Sequence, residues 1–548
     1  IKEDFKLELG KVDIESLGQT LKDLELNSLL NQLQIFESTF SFGGFSRNYE
    51  KNRLANTKSD QFKENSIIKG KIELDEMKSS SISVIPEIRP RVILNEKDLK
   101  ELVDNLMKIS GCISPVSLDT ETTSINPFKA ELVGIGICWG DKLDDLAYIP
   151  IGHNNQLINN TSQDSQIPLE KVLELLSPWL RSNDHAKVLQ NAKYDRLILL
   201  RHGIALNGVI LDTLLADYLI DSNSKHSLEF MAKREFGFTT IGFKDIVAKG
   251  NTFADVDIQT ASLYCGMDVY LTRKLSFKLK SYLDKLGPEI VYILENIEQP
   301  LEPVLADMES NGIRIDIPYL KTLSEEICTN LNQIENRAYK IVEEKFNMSS
   351  PKQLGEILFD RLGLDRKKSR KTKTGWSTDA NVLEKLEHDH PLIPLLIEYR
   401  ILSKLLSTYV DALPQLVELE TGRVHTDFNQ AVTSTGRLSS SNPNLQNIPI
   451  RTEFSRRIRK AFLPKEGWKL LSADYSQIEL RIVAHLSGEE VLCEAFRRGE
   501  DVHTLTAKVL FEKDNISDEE RRLGKIINFG VIYGMGPLRF SRSTGVSQ

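Results

Sequence analysis

The stretch DYSQIELRIVAHLSG, residues 474–488, does most to decide the fold and function of this chain. Residues 469–473 before it predict a short, mostly buried strand that ends at Asp474. Apolar side chains then recur at helical spacing, and Gly488 suits a helix C-cap. A carboxylate on a strand-to-helix turn is rigidly held and open to solvent, which suits a Mg²⁺ ligand. The alternative interpretation is an aspartate that caps the following helix.

A second run, RRLGKIINFGVIYGM, covers residues 521–535. Ser517 and Glu520 before it fit a capping box, which predicts that a helix begins there. Two cations and then two aromatic rings follow at steps of four residues, as a stripe on this helix: Arg521, Lys525, Phe529 and Tyr533. Such a stripe matches a nucleoside triphosphate, with charge for the phosphates and flat rings for the sugar and base. The alternative is an amphipathic helix with a solvated basic end and a buried aromatic end.

In this order, the two runs resemble motifs A and B of the bacterial-type DNA polymerase I family, family A. The resemblance implies metal-dependent transfer of deoxynucleotides onto a DNA primer. It implies that Asp474 binds two catalytic Mg²⁺ ions, with the Tyr475 carbonyl as a further ligand. Glu479 would crowd the 2′ position of the sugar and so favour deoxynucleotides.

The same resemblance assigns the helical stripe to the incoming nucleotide. Arg521 and Lys525 would hold the triphosphate. Phe529 would pack on the sugar, and Tyr533 would lie near the template base. The family's second metal-binding carboxylate, in a His-Asp-Glu motif near its C-terminus, is absent from this sequence. We therefore expect a fragment truncated at both ends, since it also begins without Met, and we expect it to shorten primers without extending them.

A second group of acidic residues lies upstream, in three separate segments. In VSLDTETT, Asp119 and Glu121 are two residues apart at the end of an apolar strand, so both side chains point to one face. NAKYDRLILL supplies Asp195, and YCGMD supplies Tyr264 and Asp268, four residues apart on a predicted helix. Taken one at a time, such carboxylates are typical of a solvated surface.

Taken together, the three segments resemble the DEDDy 3′→5′ exonucleases in order and spacing. The resemblance implies an RNase H-like α/β domain in which the four carboxylates are metal ligands and Tyr264 orients the attacking water. Four carboxylates can hold two Mg²⁺ or Mn²⁺ ions, which activate water and stabilise the leaving oxygen in phosphodiester hydrolysis. The sequence thus predicts two active sites, each with two divalent ions.

Composition agrees with a large soluble protein of the cytoplasm. The 548 residues suggest three or four domains, and the 40% of hydrophobic residues suffices for several cores. No apolar run approaches the length of a membrane span. The cysteines lie far apart without a CxxC pair, which predicts reduced thiols: Cys112, Cys138, Cys265, Cys328 and Cys493.

The net charge of −8 is unexpected for a DNA-binding protein, but local clusters matter more than the sum. RKKSRKTK, residues 366–373, carries six basic residues, and RTEFSRRIRK, residues 451–460, carries five. Runs of this kind are usually solvated loops. By resemblance, the first falls at the tip of the family's thumb and the second leads into the Asp474 segment, where both could neutralise DNA phosphates.

Between the two basic runs, TSTGRLSSSNPNLQNIP is polar and punctuated by Gly and Pro, which predicts a loop. It also resembles the family. The resemblance implies that Arg437, Gln446 and Asn447 hydrogen-bond the minor groove near the primer end. Minor-groove acceptors are similar for all base pairs, so such contacts test pairing geometry without reading sequence.

The domain order follows from these segments. We expect a remnant of a 5′-nuclease domain at 1–45 without nuclease activity, and a polar linker at 46–90. Residues 91–290 are the expected exonuclease domain, with further strands at 131–139 and 146–151. Residues 291–548 are the expected partial right-hand polymerase domain, with a thumb, part of the palm and part of the fingers.

The leading hypothesis is a DNA polymerase I fragment that acts in DNA replication and repair. Its expected partners are primer–template DNA, single-stranded 3′ ends and deoxynucleoside triphosphates, and we expect a monomer in the cytoplasm, associated with the nucleoid. One alternative is a stand-alone repair exonuclease whose C-terminal half only grips DNA. Another is a non-catalytic DNA-binding scaffold. The complete carboxylate set argues against the scaffold, and Asp474, Lys525 and Tyr533 argue against a mere grip.

Overall fold

A computed structural model describes residues 85–109, 111–154, 166–237, 239–373, 375–450, 453–537 and 540–541. The predictions for residues 1–45 and for 46–84 lie outside the described residues. The chain divides into two compact units, Ile1–Pro303 and Val304–Gln548. No helix in the described ranges is both long enough and apolar enough to cross a membrane.

A six-stranded mixed sheet forms the centre of the first unit, with strand order β1-β4-β3-β2-β5-β6. The strands are β1 (Arg91–Val92), β2 (Gly111–Thr122), β3 (Leu132–Cys138), β4 (Leu146–Pro150), β5 (His185–Leu189) and β6 (Val209–Asp212). β3 is antiparallel to both β2 and β4, whereas β2, β5 and β6 run parallel. Every residue of β3, β4 and β5 is buried, as expected for strands covered on both faces.

Besides the sheet, the described residues of this unit form helices, the last of which only begins in it. They are α1 (Glu96–Leu106), α2 (Leu169–Leu180), α3 (Ala192–Arg201), α4 (Thr213–Ile220), α5 (Leu228–Phe236), α6 (Phe243–Ile246), α7 (Ile258–Leu286), α8 (Pro288–Ile293) and α9 (Gln299–Asn311), with a 3₁₀ turn at Phe253–Asp255 and a π turn at Leu294–Glu298. Leu99, Leu102 and Leu106 of α1 recur at helical spacing and are buried against the sheet together with Trp179 of α2. The predicted strands at 131–139 and 146–151 and the predicted helix bearing Tyr264 are confirmed.

The second unit is mostly helical. Its helices are α10 (Ile317–Val342), α11 (Pro351–Gly355), α12 (Ala380–Leu386), α13 (Leu392–Leu405), α14 (Ala412–Gln415), α15 (Glu453–Arg459), α16 (Ile478–Ser487), α17 (Glu490–Arg497), α18 (Val502–Phe511) and α19 (Asp518–Ile532), with a 3₁₀ turn at Arg366–Lys368 and π turns at Glu356–Arg361 and Leu406–Val410. Its main core packs α10 against α13 and includes Leu320, Leu323 and Leu396.

Short antiparallel strand pairs complete this unit. They are β7 (Arg314–Ile315) with β14 (Phe462–Leu463), β8 (Lys371–Thr372) with β9 (Gly375–Trp376), β10 (Val417–Glu418) with β11 (Arg423–Val424), and β12 (Asp427–Asn429) with β13 (Ser439–Ser441). A smaller core joins Leu480 of α16, Ala495 of α17 and Val502 of α18.

The prediction of a mostly buried strand at 469–473 is wrong. These residues are irregular and exposed, and 93% of Leu471 is accessible to solvent. A strand obtains its hydrogen bonds from a neighbour, and none of the strands in the described ranges pairs with this segment. The helix that follows is confirmed as α16, and its C-cap is Gly488, as predicted, with a φ of 67°.

A buried ion pair ties α3 to the start of α9. Arg196 donates two hydrogen bonds of 2.8 Å to the Glu302 carboxylate, whose side chain is 1% exposed. We expect Arg196→Ala to lower the free energy of local opening of α3 and α9 by about 3–5 kcal/mol, because Glu302 keeps a buried charge without its partner. Hydrogen–deuterium exchange of the amides in both helices measures this opening.

Arg91→Ala provides the control for this substitution. Arg91 pairs with Asp98 at 3.0 Å and with Glu101 at 3.4 Å, but Arg91 and Glu101 are exposed and Asp98 is only half-buried. Its loss should cost less than about 1 kcal/mol. Equal effects of the two substitutions would contradict the importance of the buried pair.

Candidate functional site

Strand β2 carries two of the predicted site residues at the middle of the sheet. Asp119 lies opposite Gly136 of β3, and Glu121 lies opposite Gly134. Because they are two residues apart on one strand, both carboxylates lie on one face of the sheet. The ligand atoms of Asp119, Glu121 and Cys265 all lie within 4.8 Å of one another.

Asp195 lies in the first turn of α3 and bonds to Thr120, the residue between the two carboxylates of β2. One oxygen of its carboxylate accepts hydrogen bonds from the Thr120 backbone N–H, at 2.9 Å, and from the Thr120 hydroxyl, at 2.6 Å. The start of α3 is fixed in turn by Asp212, whose carboxylate accepts from the N–H groups of Asn191 and Ala192 at 2.9 and 2.8 Å. These bonds hold Asp195 beside the two carboxylates of β2.

Helix α7 supplies the remaining predicted residues, Tyr264 and Asp268, which are half-buried one turn apart. Helix α7 packs on strands β2 and β3. The structure therefore brings together all five residues that the sequence predicted for this site, from β2, α3 and α7.

Burial, and after it the charge of neighbouring carboxylates, determines the electrostatics of this cluster. Burial raises the pKa of Asp119 from 3.8 to about 7. Burial also raises the pKa of Glu121 well above its ordinary value, and the charges of Asp119 and Asp268 raise it further. The pKa values of Asp195 and Asp268 rise for the same two reasons, burial first and the charge of Asp119 second.

One oxygen of Glu121, Oε1, is buried and has no hydrogen-bond partner among the described residues. A buried carboxylate oxygen left alone is unfavourable, and a cation is the partner that would satisfy it. Four carboxylates and an open acceptor are a donor set that hard divalent cations prefer. The residues present thus fit the predicted metal ions.

In the second unit, Glu479 joins two other predicted residues. The Tyr533 hydroxyl donates to the Glu479 carboxylate at 2.6 Å, and Arg437 forms an ion pair with the same carboxylate. Glu479 lies in the first turn of α16, and Tyr533 follows the last residue of α19. This network links the TSTGR loop with the two helices.

The stripe on α19 forms as predicted, and so does the capping box of Ser517 and Glu520. The rings of Phe529 and Tyr533 stack with centroids 6.4 Å apart. Lys525 is exposed, and its Nζ lies 5.9 Å from the centre of the Phe529 ring.

The first cation of this stripe, Arg521, has a partner that the sequence did not indicate. Its guanidinium donates to both oxygens of Asp501, at 2.7 and 3.0 Å. This contact, with hydrogen bonds from Thr504 and Gln477, lowers the pKa of Asp501 despite partial burial. The guanidinium of Arg521, which was predicted to hold phosphates, is therefore already bound to the carboxylate of Asp501.

The other predicted residues of this unit are not gathered into a cluster. Asp474 and Tyr475 are exposed in the irregular segment before α16, with 80% of Tyr475 accessible. Gln446 and Asn447 are exposed in the loop after β13. The Asn447 carbonyl accepts a hydrogen bond of 2.6 Å from Tyr409, which fixes the backbone of that loop.

The sequence analysis did not predict several residues of these sites. Thr120 and Cys265 stand inside the quoted motifs, but neither is a typical metal ligand or base in that chemistry. Asp501 precedes an apolar run and caps α18. Its sequence context therefore indicated only a helix N-cap and not a partner for Arg521. His503 contacts Phe529, with ring centroids 5.6 Å apart. Its position became apparent only when α18 packed on α19.

Comparison with known proteins places this chain in a family. The model of the family described as "DNA polymerase family A" matches residues 317–548, and that of "3'-5' exonuclease" matches residues 90–284. The chain is 49% identical over 558 residues to DNA polymerase I of Synechocystis sp., covering 99% of this chain and 56% of that protein. It is 42% identical over 441 residues to DNA polymerase I of Pseudomonas aeruginosa, covering 79% of this chain and 47% of that protein.

A solved structure agrees with these sequence matches. The POL domain of Pol1 from M. smegmatis, in complex with DNA primer-template and dNTP, aligns with a TM-score of 0.69 and 31% identity. The alignment covers 84% of this chain and 74% of that one. The chain belongs to DNA polymerase family A, and the predicted order of an exonuclease domain and a polymerase domain is confirmed. It spans about half the length of the curated relatives it matches.

The raised carboxyl pKa values predict an unusual dependence of stability on pH. Without divalent metal, Asp119 is more fully protonated in the folded chain than in the unfolded chain between pH 3.8 and about 7. The stability from Asp119 is thus present below pH 3.8 and lost as the pH rises through about 7. In EDTA, the midpoint temperature of thermal unfolding of the native chain should fall, relative to that of Asp119→Asn, as the pH rises. Added Mg²⁺ should raise it again.

Thermal unfolding at a series of pH values gives this difference curve. A constant difference between the two proteins in EDTA would show that Asp119 ionises normally in the fold.

Proposed function

We propose that this chain carries the proofreading 3′→5′ exonuclease and part of the polymerase of a DNA polymerase I that acts in DNA replication and repair. The observation that supports the exonuclease most directly is the cluster of Asp119, Glu121, Asp195 and Asp268, in which the buried Oε1 of Glu121 has no hydrogen-bond partner within the described part of the chain. Membership of family A supports the polymerase half. Two Mg²⁺ or Mn²⁺ ions per site are the proposed cofactors.

In the exonuclease site, each residue has a distinct proposed task. The four carboxylates would hold the ions, which supply an activated water and charge for the leaving oxygen. Thr120 keeps one oxygen of Asp195 engaged, so only the other oxygen is free to turn toward an ion. Burial and the nearby carboxylates raise the pKa of Tyr264, so its phenol stays protonated and can orient the water by a hydrogen bond.

Asp195→Ala tests this proposal. It should lower Mg²⁺-dependent shortening of a labelled single-stranded oligonucleotide by at least about a hundredfold, because an ion loses its ligand. Affinity for the oligonucleotide in Ca²⁺ should change little. Asp284→Ala, on the exposed C-terminal part of α7, is the matched control and should behave as the native chain.

If the Asp195→Ala variant digests the oligonucleotide at the native rate, Asp195 is not a ligand of the catalytic metal ions. Loss of activity in both variants would indicate damage to the fold instead.

For the polymerase half, the proposed substrates are primer–template DNA and deoxynucleoside triphosphates. The M. smegmatis domain was solved with both, which supports this choice. Arg521 and Lys525 are proposed to hold the triphosphate, with Phe529 at the sugar and Tyr533 at the template base. Arg521 must exchange the Asp501 carboxylate for phosphate oxygens, which lowers the net gain from that contact.

Glu479 is proposed to test the 2′ position of the sugar. Its carboxylate is held by Tyr533 and Arg437, so it has a defined place between the loop and the helices. Asp474 and the Tyr475 carbonyl remain proposed metal ligands, and Gln446 and Asn447 remain proposed minor-groove contacts beside Arg437. That the chain shortens primers without extending them stays a prediction.

The basic run at 366–373 is the proposed contact for duplex phosphates. Several of its cations already have acidic partners: Arg366 pairs with Asp360, and Lys368 pairs with Asp389. Lys371 and Lys373 are exposed at the β8–β9 hairpin. We further propose that the chain acts as a monomer in the cytoplasm, near the nucleoid.

Lys525→Ala tests the nucleotide site independently of hydrolysis. It should weaken binding of a fluorescent deoxynucleoside triphosphate by at least about tenfold, because a charge-assisted contact with phosphate contributes roughly 1.5–3 kcal/mol. Arg522→Ala is the control, since Arg522 is exposed on the same helix but lies off the stripe. Equal affinities of the native chain and Lys525→Ala would refute the triphosphate role of Lys525.

A further inference from the structure

A buried pair of side chains, Tyr148 and His153, has no task in the proposed hydrolysis. Tyr148 lies on β4, and His153 follows that strand. The Tyr148 hydroxyl lies 2.7 Å from Nε2 of His153, and Nδ1 of His153 lies 2.8 Å from the carbonyl oxygen of Val256. A strand, the loop after it and the segment before α7 are thus joined by one chain of hydrogen bonds.

The direction of each hydrogen bond in this chain is fixed. A carbonyl oxygen only accepts, so Nδ1 of His153 donates to Val256 and carries the proton of the neutral ring. Burial lowers the pKa of His153, which keeps the ring neutral in mildly alkaline buffer. Nε2 of His153 is therefore an acceptor, and the Tyr148 hydroxyl is its donor.

The Tyr148 hydroxyl fills the place beside Glu121 that a side chain on β3 would otherwise take. Gly134 of β3 lies opposite Glu121, and a Cβ built on Gly134 would overlap the hydroxyl oxygen. The Cβ atoms of facing residues lie roughly 4.5–5.5 Å apart, so the hydroxyl is within reach of the Glu121 carboxylate. Burial raises the pKa of Tyr148, and the charges of Cys265 and Glu121 raise it further, so the hydroxyl keeps its proton.

A hydroxyl next to a carboxylate is expected to donate to it, because a charged acceptor forms the stronger hydrogen bond. Thr120 does so, since its hydroxyl donates to Asp195 at 2.6 Å and engages one oxygen of that carboxylate. Oε1 of Glu121, in contrast, is buried and has no hydrogen-bond partner among the described residues. The difference between the two carboxylates is that the hydroxyl beside Glu121 has another acceptor.

We propose that His153 is a positioning residue of the exonuclease site. By accepting the hydrogen bond of Tyr148, Nε2 of His153 keeps that hydroxyl away from Glu121 and leaves Oε1 open for a cation. An oxygen already engaged by a hydroxyl is a weaker metal ligand, because the metal must first displace the donor. This inference rests on the proposed function, and it extends that function from the ligands to residues that keep one ligand available.

His153→Asn removes the acceptor alone. The amide nitrogen of asparagine takes the place of Nδ1 and still donates to Val256, but no atom replaces Nε2. The freed Tyr148 hydroxyl should donate to Glu121, and Mn²⁺ binding to the full chain should weaken by at least about tenfold. Electron paramagnetic resonance of free Mn²⁺ measures this affinity without hydrolysis, and Asp119→Asn gives the Mn²⁺ bound elsewhere on the chain.

Tyr148→Phe distinguishes positioning from packing. Added to His153→Asn, it should restore the native Mn²⁺ affinity, because the competing donor is gone. Tyr148→Phe alone should bind Mn²⁺ as the native chain does. A double variant that binds as weakly as His153→Asn would overturn the proposal, since the loss would then come from damaged packing.

His185→Asn is the matched control. His185 is also buried, and its Nδ1 bonds to the Ile109 carbonyl at 2.6 Å, but it lies at the start of β5. Its Mn²⁺ affinity should be native, and a loss equal to that of His153→Asn would count against a specific role of His153.

Nuclear magnetic resonance of the native chain with isotope-labelled histidine decides even if His153→Asn fails to fold. The His153 ring, identified by its shift in Tyr148→Phe, should carry its proton on Nδ1, and a proton on Nε2 would overturn the proposal. Hydrolysis by His153→Asn should need at least about tenfold more Mg²⁺, with little change in rate at saturation. Absence of hydrolysis by the native chain would refute the proposed function, while Mn²⁺ binding would still test His153.

Discussion

Mutual repulsion among buried carboxylates is the constraint on which the first unit depends. Four acidic side chains lie close together, with Glu121 and Asp195 buried and Asp119 and Asp268 half-buried. Burial raises the pKa of each carboxyl group, and neighbouring carboxylates raise the pKa values of Glu121, Asp195 and Asp268 further. The fold opposes this repulsion through rigid supports. Asp119 and Glu121 are fixed by the ladder between β2 and β3, and Asp195 is fixed by Thr120. An arrangement that is unfavourable for the protein alone is favourable for a protein that binds cations.

The second unit handles charge in a different way. Its predicted substrate-binding side chains are near the surface, and three of them, Arg437, Glu479 and Arg521, already have protein partners of opposite charge. Asp501 holds Arg521, and Glu479 holds both Arg437 and Tyr533. Under the proposed function, a nucleotide would bind there by exchange of partners. A cation in the first unit would instead satisfy Oε1 of Glu121, which has no hydrogen-bond partner among the residues described. Such an exchange favours selectivity over high affinity. A ligand gains binding free energy only if its contacts with the side chain are better than those of the protein partner that it displaces.

Local patterns predicted the parts of the molecule that local physics determines. Alternation along a strand put Asp119 and Glu121 on one face, and the capping box at Ser517 correctly began α19. Contacts between elements were not predictable in this way. The pairing of Arg521 with Asp501 depends on how α18 packs on α19, and the strand expected at 469–473 failed because pairing depends on a neighbour. Cys265 was overlooked because its motif was read for its acidic members alone.

The two glycines of β3 that face the carboxylates restrict how this region can vary. A Cβ on Gly134 would lie 2.0 Å from the hydroxyl of Tyr148, which is buried and bonded to His153 at 2.7 Å. A Cβ on Gly136 would meet Cys265. Carboxylates can be exchanged for amides of the same shape, so chemistry can disappear while the fold persists. The glycines allow no such exchange. A descendant of this protein that has lost activity but still folds should therefore keep both glycines after its acidic residues have been substituted.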